Sequence, residues 1–353
     1  MRFPFVMNCG LFTTSYREDM AVLFAPAAKL KVAAIIGFLL AFPLFVSPYY
    51  VSVANLIAIA VIGALGLNIL TGFTGQISIG HGAFMGVGAY TVGVLTTKLG
   101  LSFWVALPLA GLMAALVGAV FGIPSLRLKG LYLAIATLAA QVIIEYTIIH
   151  WTSLTGGSAG IVLEPLRLGT LSLGTDTGFY YFALLLTLAA VVFTVNLFRS
   201  RVGRAFMAVR DRDIAASVTG INLLRHKVLA FGLSAFYAGI AGALLAGYTR
   251  VITPEHFTVD VSVKYLAMII IGGLGSVMGS IYGALFITLL PILLRALADF
   301  AGTFFPGIEN LLLAMQTALF GLIVILFLIF EPEGLAKLWQ DVKNYFRLWP
   351  FSY

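Results

Sequence analysis

Leu67-Asn68-Ile69-Leu70-Thr71-Gly72-Phe73-Thr74-Gly75-Gln76-Ile77-Ser78-Ile79-Gly80-His81-Gly82-Ala83-Phe84 sets Asn68, Gln76, Ser78 and His81, with repeated glycines, inside a long apolar run. About 20 apolar residues in a helix cross the hydrocarbon of a bilayer. At that depth a polar side chain is expensive unless it is paired or wetted, and glycine weakens the helix that carries it. The stretch therefore reads as a membrane helix broken part-way. Two arrangements satisfy its polar groups. In one, a discontinuous helix lines a translocation path, with Asn68, Gly75, Gln76, Ser78, Gly80 and His81 as candidate lining residues. In the other, it is a packing seam whose side chains bond neighbouring backbone. His81 has a side chain that titrates near neutral pH, but a lone histidine is commonly a packing residue.

The sequence around this stretch has the same character. Of 353 residues, 61% are hydrophobic and 10% charged, against roughly 25% charged in soluble domains. The 37 glycines suit closely approaching transmembrane helices. Apolar segments fall near 31–47, 51–71, 82–99, 103–123, 130–150, 178–198, 227–248, 262–280, 281–299 and 309–330. The expected fold is all-α, a polytopic transmembrane helical bundle of about ten spans. Residues 1–30 form an N-terminal cytoplasmic segment, 31–336 one transmembrane domain with a cytoplasmic loop at about 199–226, and 337–353 a cytoplasmic tail. No stretch is polar enough for a separate soluble domain. Residues Asn8 to Met20 are polar, so the N-terminus does not read as a cleaved signal. A single cysteine, Cys9, rules out an internal disulfide.

The net charge of +7 is concentrated between spans, as in cytoplasmic loops facing anionic lipid, and not in a nucleic-acid patch. With ten spans and a cytoplasmic N-terminus, Arg2, Arg17, Lys29 and Lys31 fall inside, as do Arg127 and Lys129. So do Arg199, Arg201, Arg204, Arg210, Arg212, Arg225 and Lys227, and the tail residues Lys337, Lys343 and Arg347. The opposite loops hold Arg167 and Arg250. This asymmetry predicts an even span count with both ends cytoplasmic.

Two segments echo one another. Val51-Ser52-Val53 precedes an apolar run and the glycines 72, 75, 80 and 82; Val261-Ser262-Val263 precedes another and Gly273, Gly275, Gly279 and Gly283. Paired glycine-interrupted spans point to a transporter's central pathway, which adds Gly273 and Gly275 to the candidates. Glycine-rich membrane helices also resemble one another by composition alone.

Gly203 to Asn222 is too polar to span. Phe206, Val209, Ile214 and Val218 are expected on one apolar face, and Gly220 is a plausible helix stop. Such a segment either docks into a groove on a motor or lies at the lipid interface. Thr155-Gly156-Gly157-Ser158-Ala159-Gly160-Ile161 reads as a tight turn in an outer loop. Glu145 is read as an interfacial residue. No G-x-x-x-x-G-K-[ST] phosphate loop and no H-E-x-x-H metal spacing occur, and His81, His150, His226 and His256 are far apart. No cofactor, metal or catalytic set is expected. An ATPase, if one drives this chain, is a separate polypeptide.

Leu67 to Tyr90 resembles the signature of LivM-type permeases of branched-chain amino acid ABC transporters. So do Gly130-Leu131-Tyr132-Leu133-Ala134-Ile135-Ala136-Thr137-Leu138, the Thr155–Ile161 turn, the loop through Gly220-Ile221-Asn222, Gly272-Gly273-Leu274-Gly275-Ser276 and Glu331-Pro332-Glu333-Gly334-Leu335. These blocks stand in family order from about residue 50 to 336; residues 1–30 lie outside the resemblance.

The resemblance implies a transport subunit in a bacterial inner membrane. Its expected partners are a second, LivH-like permease, two ATP-binding subunits and a periplasmic amino-acid-binding protein, with membrane lipid and no nucleic acid. The expected cargo is leucine, isoleucine or valine; related permeases carry urea, short-chain amides, sugars or other amino acids. The stretch Asp213-Ile214-Ala215-Ala216-Ser217-Val218-Thr219-Gly220 is similar to the family's ATPase coupling loop, so Arg204, Asp213, Ala215, Ala216 and Gly220 are its candidate residues. The usual loop has glutamate directly before the two alanines. Here Ile214 stands there, with Asp213 one position earlier. A secondary transporter is the competing class, disfavoured by the few acids within the spans, chiefly Glu145 and Asp299.

Overall fold

The computed structural model describes residues 26–126, 128–164, 167–168, 171–172, 174–304 and 316–348. Residues 1–25, Arg127 and positions 309–315 of the last expected span lie outside them, and with them Arg2, Cys9 and Arg17. The chain divides into two compact units, one ending at Val51 and one beginning at Ser52. In the first, α1 (Pro26–Phe45) presents Leu30, Ile35, Phe38 and Leu44 on its surface.

The second unit is a helical assembly. Helix α2 (Pro48–Asn68) enters it and ends in a π turn at Ile69–Phe73. There follow α3 (His81–Thr97), α4 (Phe103–Gly122), α5 (Leu131–His150) and the short α6 (Thr152–Thr155). After strands β1 (Ile161–Val162), β2 (Arg167–Leu168) and β3 (Leu171–Ser172) comes α7 (Asp176–Arg199). Two short helices follow, α8 (Arg201–Asp211) and α9 (Asp213–Val218), then the long α10 (Leu223–Thr249). Strand β4 (Val251–Ile252), α11 (Val259–Gly272), α12 (Val277–Phe304), α13 (Gln316–Phe330) and α14 (Leu335–Leu348) complete the order.

Helix α10 packs along α4 and α3 through small residues. A Cβ on Gly239 would lie 2.5 Å from Ala114 Cβ, and Gly118 and Gly242 are as tightly opposed to Ala235 and Met85. Such contacts bring backbones together where lipid supplies no hydrophobic drive between helices. The enclosed centre is Pro48–Phe73, whose apolar window is 83% buried; that of α7 is 22% buried. Leu112, Leu116 and Val120 on α4 and Tyr132, Ile135 and Val142 on α5 remain exposed, as expected of a face solvated by hydrocarbon.

Among the described residues six helices are long and apolar enough to cross a membrane. They are Pro48–Phe73, Phe103–Gly122, Leu131–His150, Asp176–Arg199, Leu223–Thr249 and Val277–Phe300; Ala318–Phe330 and Leu335–Tyr345, bent by 49°, make a seventh if they are one span. Two expected spans are short: α3 has 17 residues and α11 has 14. At 1.5 Å per residue α11 reaches about 21 Å, less than a hydrocarbon core of about 30 Å. The expected break at 280/281 moves to 273–276, because Gly273 (φ 117°) and Gly275 (φ 73°) take left-handed backbone there. Helix α12 then starts at Val277.

The turn after α6 is built as its sequence suggests. Gly156, Gly157 and Gly160 have φ of 76°, 64° and 72°, and Thr155 Oγ1 donates to the carbonyls of Ile148 and Trp151 at 2.6 and 2.8 Å. The chain then pairs β1 antiparallel to β4, Ile161 opposite Ile252.

Candidate functional site

The centre of the molecule is the break after Asn68. Its side chain is 1% exposed and bonds three partners more than two hundred positions away. Asn68 Nδ2 donates to Ser276 O at 2.8 Å and Ser280 Oγ at 2.7 Å, and Oδ1 accepts from Gly275 N at 2.9 Å. The two echoing breaks therefore face one another. They meet closely: a Cβ on Gly72 would collide with Asn68 Oδ1 and with the amide of Gly275. Gly273 closes α11 and packs against the last sequence block, its Cβ direction 3.3 Å from Ala336 Cβ.

Beyond the π turn the loop 74–80 is tied locally. Thr74 Oγ1 donates to Ile69 O at 2.8 Å and Thr71 Oγ1 to Gln76 O at 3.1 Å. Ser78 Oγ accepts from Gly80 N at 3.3 Å. A Cβ on Gly80 would lie 2.7 Å from Thr137 O, and Ile79 N donates to Thr137 Oγ1 at 2.9 Å. The first amides of α3 have no partner within their own helix and are capped from elsewhere. Gly82 N donates to Ser262 Oγ at 2.8 Å and Ala83 N to Gln141 Oε1 at 2.6 Å. Gln141 Nε2 in turn donates to Phe257 O at 2.6 Å.

Asn68, Ser78 and Gly80 thus bond neighbouring chain, as a packing seam does. Gln76 and His81 differ. Gln76 is 4% exposed with neither carboxamide atom partnered, and His81, 1% exposed, leaves Nε2 without a partner. The His81 ring lies 5.1 Å from that of Tyr265 on α11 and bonds the Gly63 backbone.

The basic segment sits directly on this break. Ser200 Oγ caps α8 by accepting from Gly203 N at 3.3 Å. Arg210, at the far end of α8, donates from Nη1 to Gly72 O at 3.0 Å and lays its Cγ 2.9 Å from the Cβ direction of Gly75. Gly75 (φ 73°) has no side chain to obstruct it. The ring of Phe73 stacks on Phe198 at 3.4 Å, joining the π turn to the end of α7. Asp213 opens α9 and pairs with Lys129 at 2.5 Å and Lys227 at 3.9 Å. The hydrogen bond from Lys129 holds its carboxyl below the usual carboxylate range, with the Lys129 and Lys227 charges adding to the effect against a partial desolvation.

Of the remaining loop residues, Ala216 is buried and Ala215 and Gly220 are exposed. Arg204 turns back on its own chain, Nη1 to Arg199 O at 2.8 Å. One expectation is corrected. Phe206 and Val209 are buried, but Ile214 and Val218 are 73% and 83% exposed. The extended backbone of Arg212 (φ −157°, ψ 100°) ends α8 and lets α9 point its apolar residues outward. Reading along the chain named none of Gln141, Thr137, Ser262 and Ser280 as a site residue, although Thr137 and Ser262 stand in the blocks quoted above; polar residues at 137 and 141 within an apolar run were the available signal.

The family model described as "Branched-chain amino acid transport system / permease component" matches residues 49–328. The chain is 34% identical over 334 residues to the high-affinity branched-chain amino acid transport system permease protein LivM of Escherichia coli (strain K12), covering 88% of this chain and 75% of LivM. The chain belongs to the branched-chain amino acid permease family. It is a transport component and not an enzyme. The permease is also 28% identical over 244 residues to LivH of the same strain (63% of this chain, 77% of LivH). To the autoinducer 2 import system permease protein LsrC of Enterobacter sp. (strain 638) it is 28% identical over 283 residues (74% and 76%). No solved structure matches. The permease's break, its second glycine segment and its basic loop all lie inside the matched residues.

Proposed function

We propose that this permease and a second, LivH-like permease enclose the pathway of an ATP-driven importer for leucine, isoleucine and valine. Relatives named for that transport support the cargo. The single observation that carries the mechanism is the seat of α8 on the break, Arg210 to the Gly72 carbonyl at 3.0 Å. An importer must make ATP-driven closure of a motor bias two membrane states differently. A basic loop bonded to an interrupted central helix is a lever of that kind.

The docking face of the lever is α9 with its flanks. Ile214, Val218 and Leu224 are exposed there among charged residues, the anchors of a helix that enters a groove. Two ATP-binding subunits would take this face, and a periplasmic amino-acid-binding protein would deliver cargo opposite. In this reading Asn68, Gly75, Gln76, Ser78, Gly80, His81, Gly273 and Gly275 border the pathway, and Arg204, Asp213, Ala215, Ala216 and Gly220 belong to the coupling loop. Counting α1, α3, α11 and α13 as spans beside the six long helices gives the ten-span topology, with both termini and the 199–226 loop cytoplasmic in a bacterial inner membrane. Residues 31–336 are then the permease domain and 337–353 its tail.

The test is co-expression with the adjacent genes, purification in mild detergent and an ATPase assay with binding protein, with and without leucine. Co-purification with leucine-stimulated hydrolysis supports the proposal. Because LsrC is named for a different solute, a complex that answers to another solute keeps the assembly and changes the cargo. Solute movement by the lone chain without an ATPase replaces the reading with a secondary transporter.

A further inference from the structure

Where the loop after the π turn meets α8, α9 and the starts of α5 and α10, the chain forms a half-open cavity of about 260 Å³. Gln76, Lys129, Arg210, Arg212, Asp213 and Lys227 line it. With Asp211 also on the wall, four cations face two carboxylates. The charge excess is positive, and it is poorly answered within the protein. The Lys227 side chain is 8% exposed, and its ion pair with Asp213 Oδ2 is long, 3.9 Å, beyond hydrogen-bond distance. That oxygen is held by Lys129 at 2.5 Å. On the same wall the Gln76 carboxamide is buried with neither polar atom partnered. Arg212 lies on the rim, exposed.

A Lys227 charge answered by a long 3.9 Å ion pair, on the same wall as a buried carboxamide without a partner, is incompletely compensated. An ammonium offers three donors and no acceptor, and the carboxamide offers two more donors. What answers such a wall is a negatively charged group with several acceptor oxygens, for which charge-assisted bonds are the strong ones. Both carboxylates on the wall, Asp211 and Asp213, are already paired with Arg210 and Lys129.

We infer that this cavity is an oxyanion site that takes a phosphoryl group, either free phosphate or the headgroup of an anionic lipid. Its position at the basic end of the bundle suits both sources, since basic pockets between membrane helices hold phosphorylated headgroups. An occupant would bridge the loop at Gln76, the α8–α9 junction at Arg212 and the start of α10 at Lys227. It would therefore tie the basic segment to the broken helix at the same place as Arg210. The inference stands on this geometry whatever the cargo.

The test uses the full chain with its co-expressed partners, delipidated in neutral detergent. Thermal unfolding is followed in potassium phosphate against potassium chloride of equal ionic strength. In a second arm, native mass spectrometry scores lipid retained from phosphatidylcholine vesicles with and without phosphatidylglycerol. Lys227→Met and Arg212→Gln are carried through both. The expected result is a phosphate-dependent rise in midpoint, retention of phosphatidylglycerol, or both, weakened at least tenfold in the two variants. A midpoint of ligand-free Lys227→Met at or above that of the unaltered protein is expected as well. Phosphate alone identifies a free anion as the ligand; phosphatidylglycerol alone identifies the headgroup. Absence of both, or binding undiminished in both variants, overturns the inference. If Lys227→Met fails to fold, the exposed Arg212→Gln variant decides. Leucine stimulation is no part of either readout, so failure here and failure of the importer reading are separate results.

Discussion

Asn68 Oδ1 accepts the backbone amide of Gly275 at 2.9 Å across 207 positions of sequence. The amide of the same side chain reaches Ser280 Oγ at 2.7 Å. One side chain thus joins the two glycine breaks. Residues in one buried network couple by about 0.5–3 kcal/mol in a double-mutant cycle, against a scatter of about 0.3–0.5 kcal/mol for distant pairs. Asn68→Ala and Ser280→Ala are expected to couple by more than about 0.5 kcal/mol in detergent unfolding. Additive effects would show that the bond contributes nothing.

Gly72 has no room for a methyl group, which would meet Asn68 Oδ1 and the Gly275 amide. Both opposing atoms belong to the junction itself, so relief requires the two breaks to part. Gly72→Ala is expected to lower the unfolding midpoint and abolish transport. Gly37→Ala, which meets nothing within 4 Å, is expected to do neither. Equal behaviour of the two in a solute-uptake assay would contradict the close approach.

Arg210 bonds the Gly72 carbonyl and pairs with Asp211 at 3.0 Å. A lysine has one ammonium and cannot serve both in the fixed geometry of a guanidinium. Hydrogen bonds to charged groups are worth about 1.5–3 kcal/mol. Arg210→Lys is therefore expected to reduce the ratio of binding-protein-stimulated to basal ATPase at least severalfold, with normal membrane insertion. An unchanged ratio would remove Arg210 from the coupling route.

The Asp213 clamp has a defined pH dependence. Its carboxyl is depressed by Lys129, so its contribution is complete above the ordinary aspartate value of about 3.9 and fades as pH falls through the lower folded value. Protection of the α9 amides from hydrogen exchange, corrected for intrinsic rates, is expected to be flat from pH 8 to 5 and to fall only in stronger acid. Asp213→Asn is expected to lose that protection at pH 7. A midpoint near pH 6 would assign the clamp to another group.

Gly220 has φ 87° and open space at its Cβ direction. The constraint is therefore the backbone and not crowding. A left-handed position costs an ordinary residue about 1–2 kcal/mol, and asparagine less. Gly220→Asn is expected to keep most stimulated ATPase activity and Gly220→Val to lose most of it. Equal loss in both would point to a contact with the motor at that spot.

Much of this arrangement was legible along the chain. Apolar length placed α2, α4, α5, α7 and α10 within a few residues, because a membrane helix must be both long and apolar. The glycines marked both breaks, and the left-handed angles at Gly75, Gly273 and Gly275 show why glycine stands there. The boundary between the segments 262–280 and 281–299 falls several residues earlier, because the helix stops at the first of the four glycines between 272 and 279 that mark the break. Ile214 and Val218 were misassigned to the face of Phe206. Phe206, Val209, Ile214 and Val218 share one face only if a helix runs unbroken through them, and nothing in the residue types announces the extended turn at Arg212.

The sequence by itself determined that the chain is a helical membrane permease, where its helices break and where its positive charge gathers. Those properties follow from local composition: each apolar run needs hydrocarbon, each glycine frees its own backbone, and each basic loop avoids the bilayer. Only the tertiary structure decided which polar groups answer one another. Asn68 with Gly275, Gly82 with Ser262 and Arg210 with Gly72 are pairs 207, 180 and 138 positions apart. A buried polar group must find a partner wherever the packing brings one. That choice belongs to the whole fold, as does the leftover at Gln76, whose carboxamide it leaves without a partner, and at Lys227, which it gives a long ion pair.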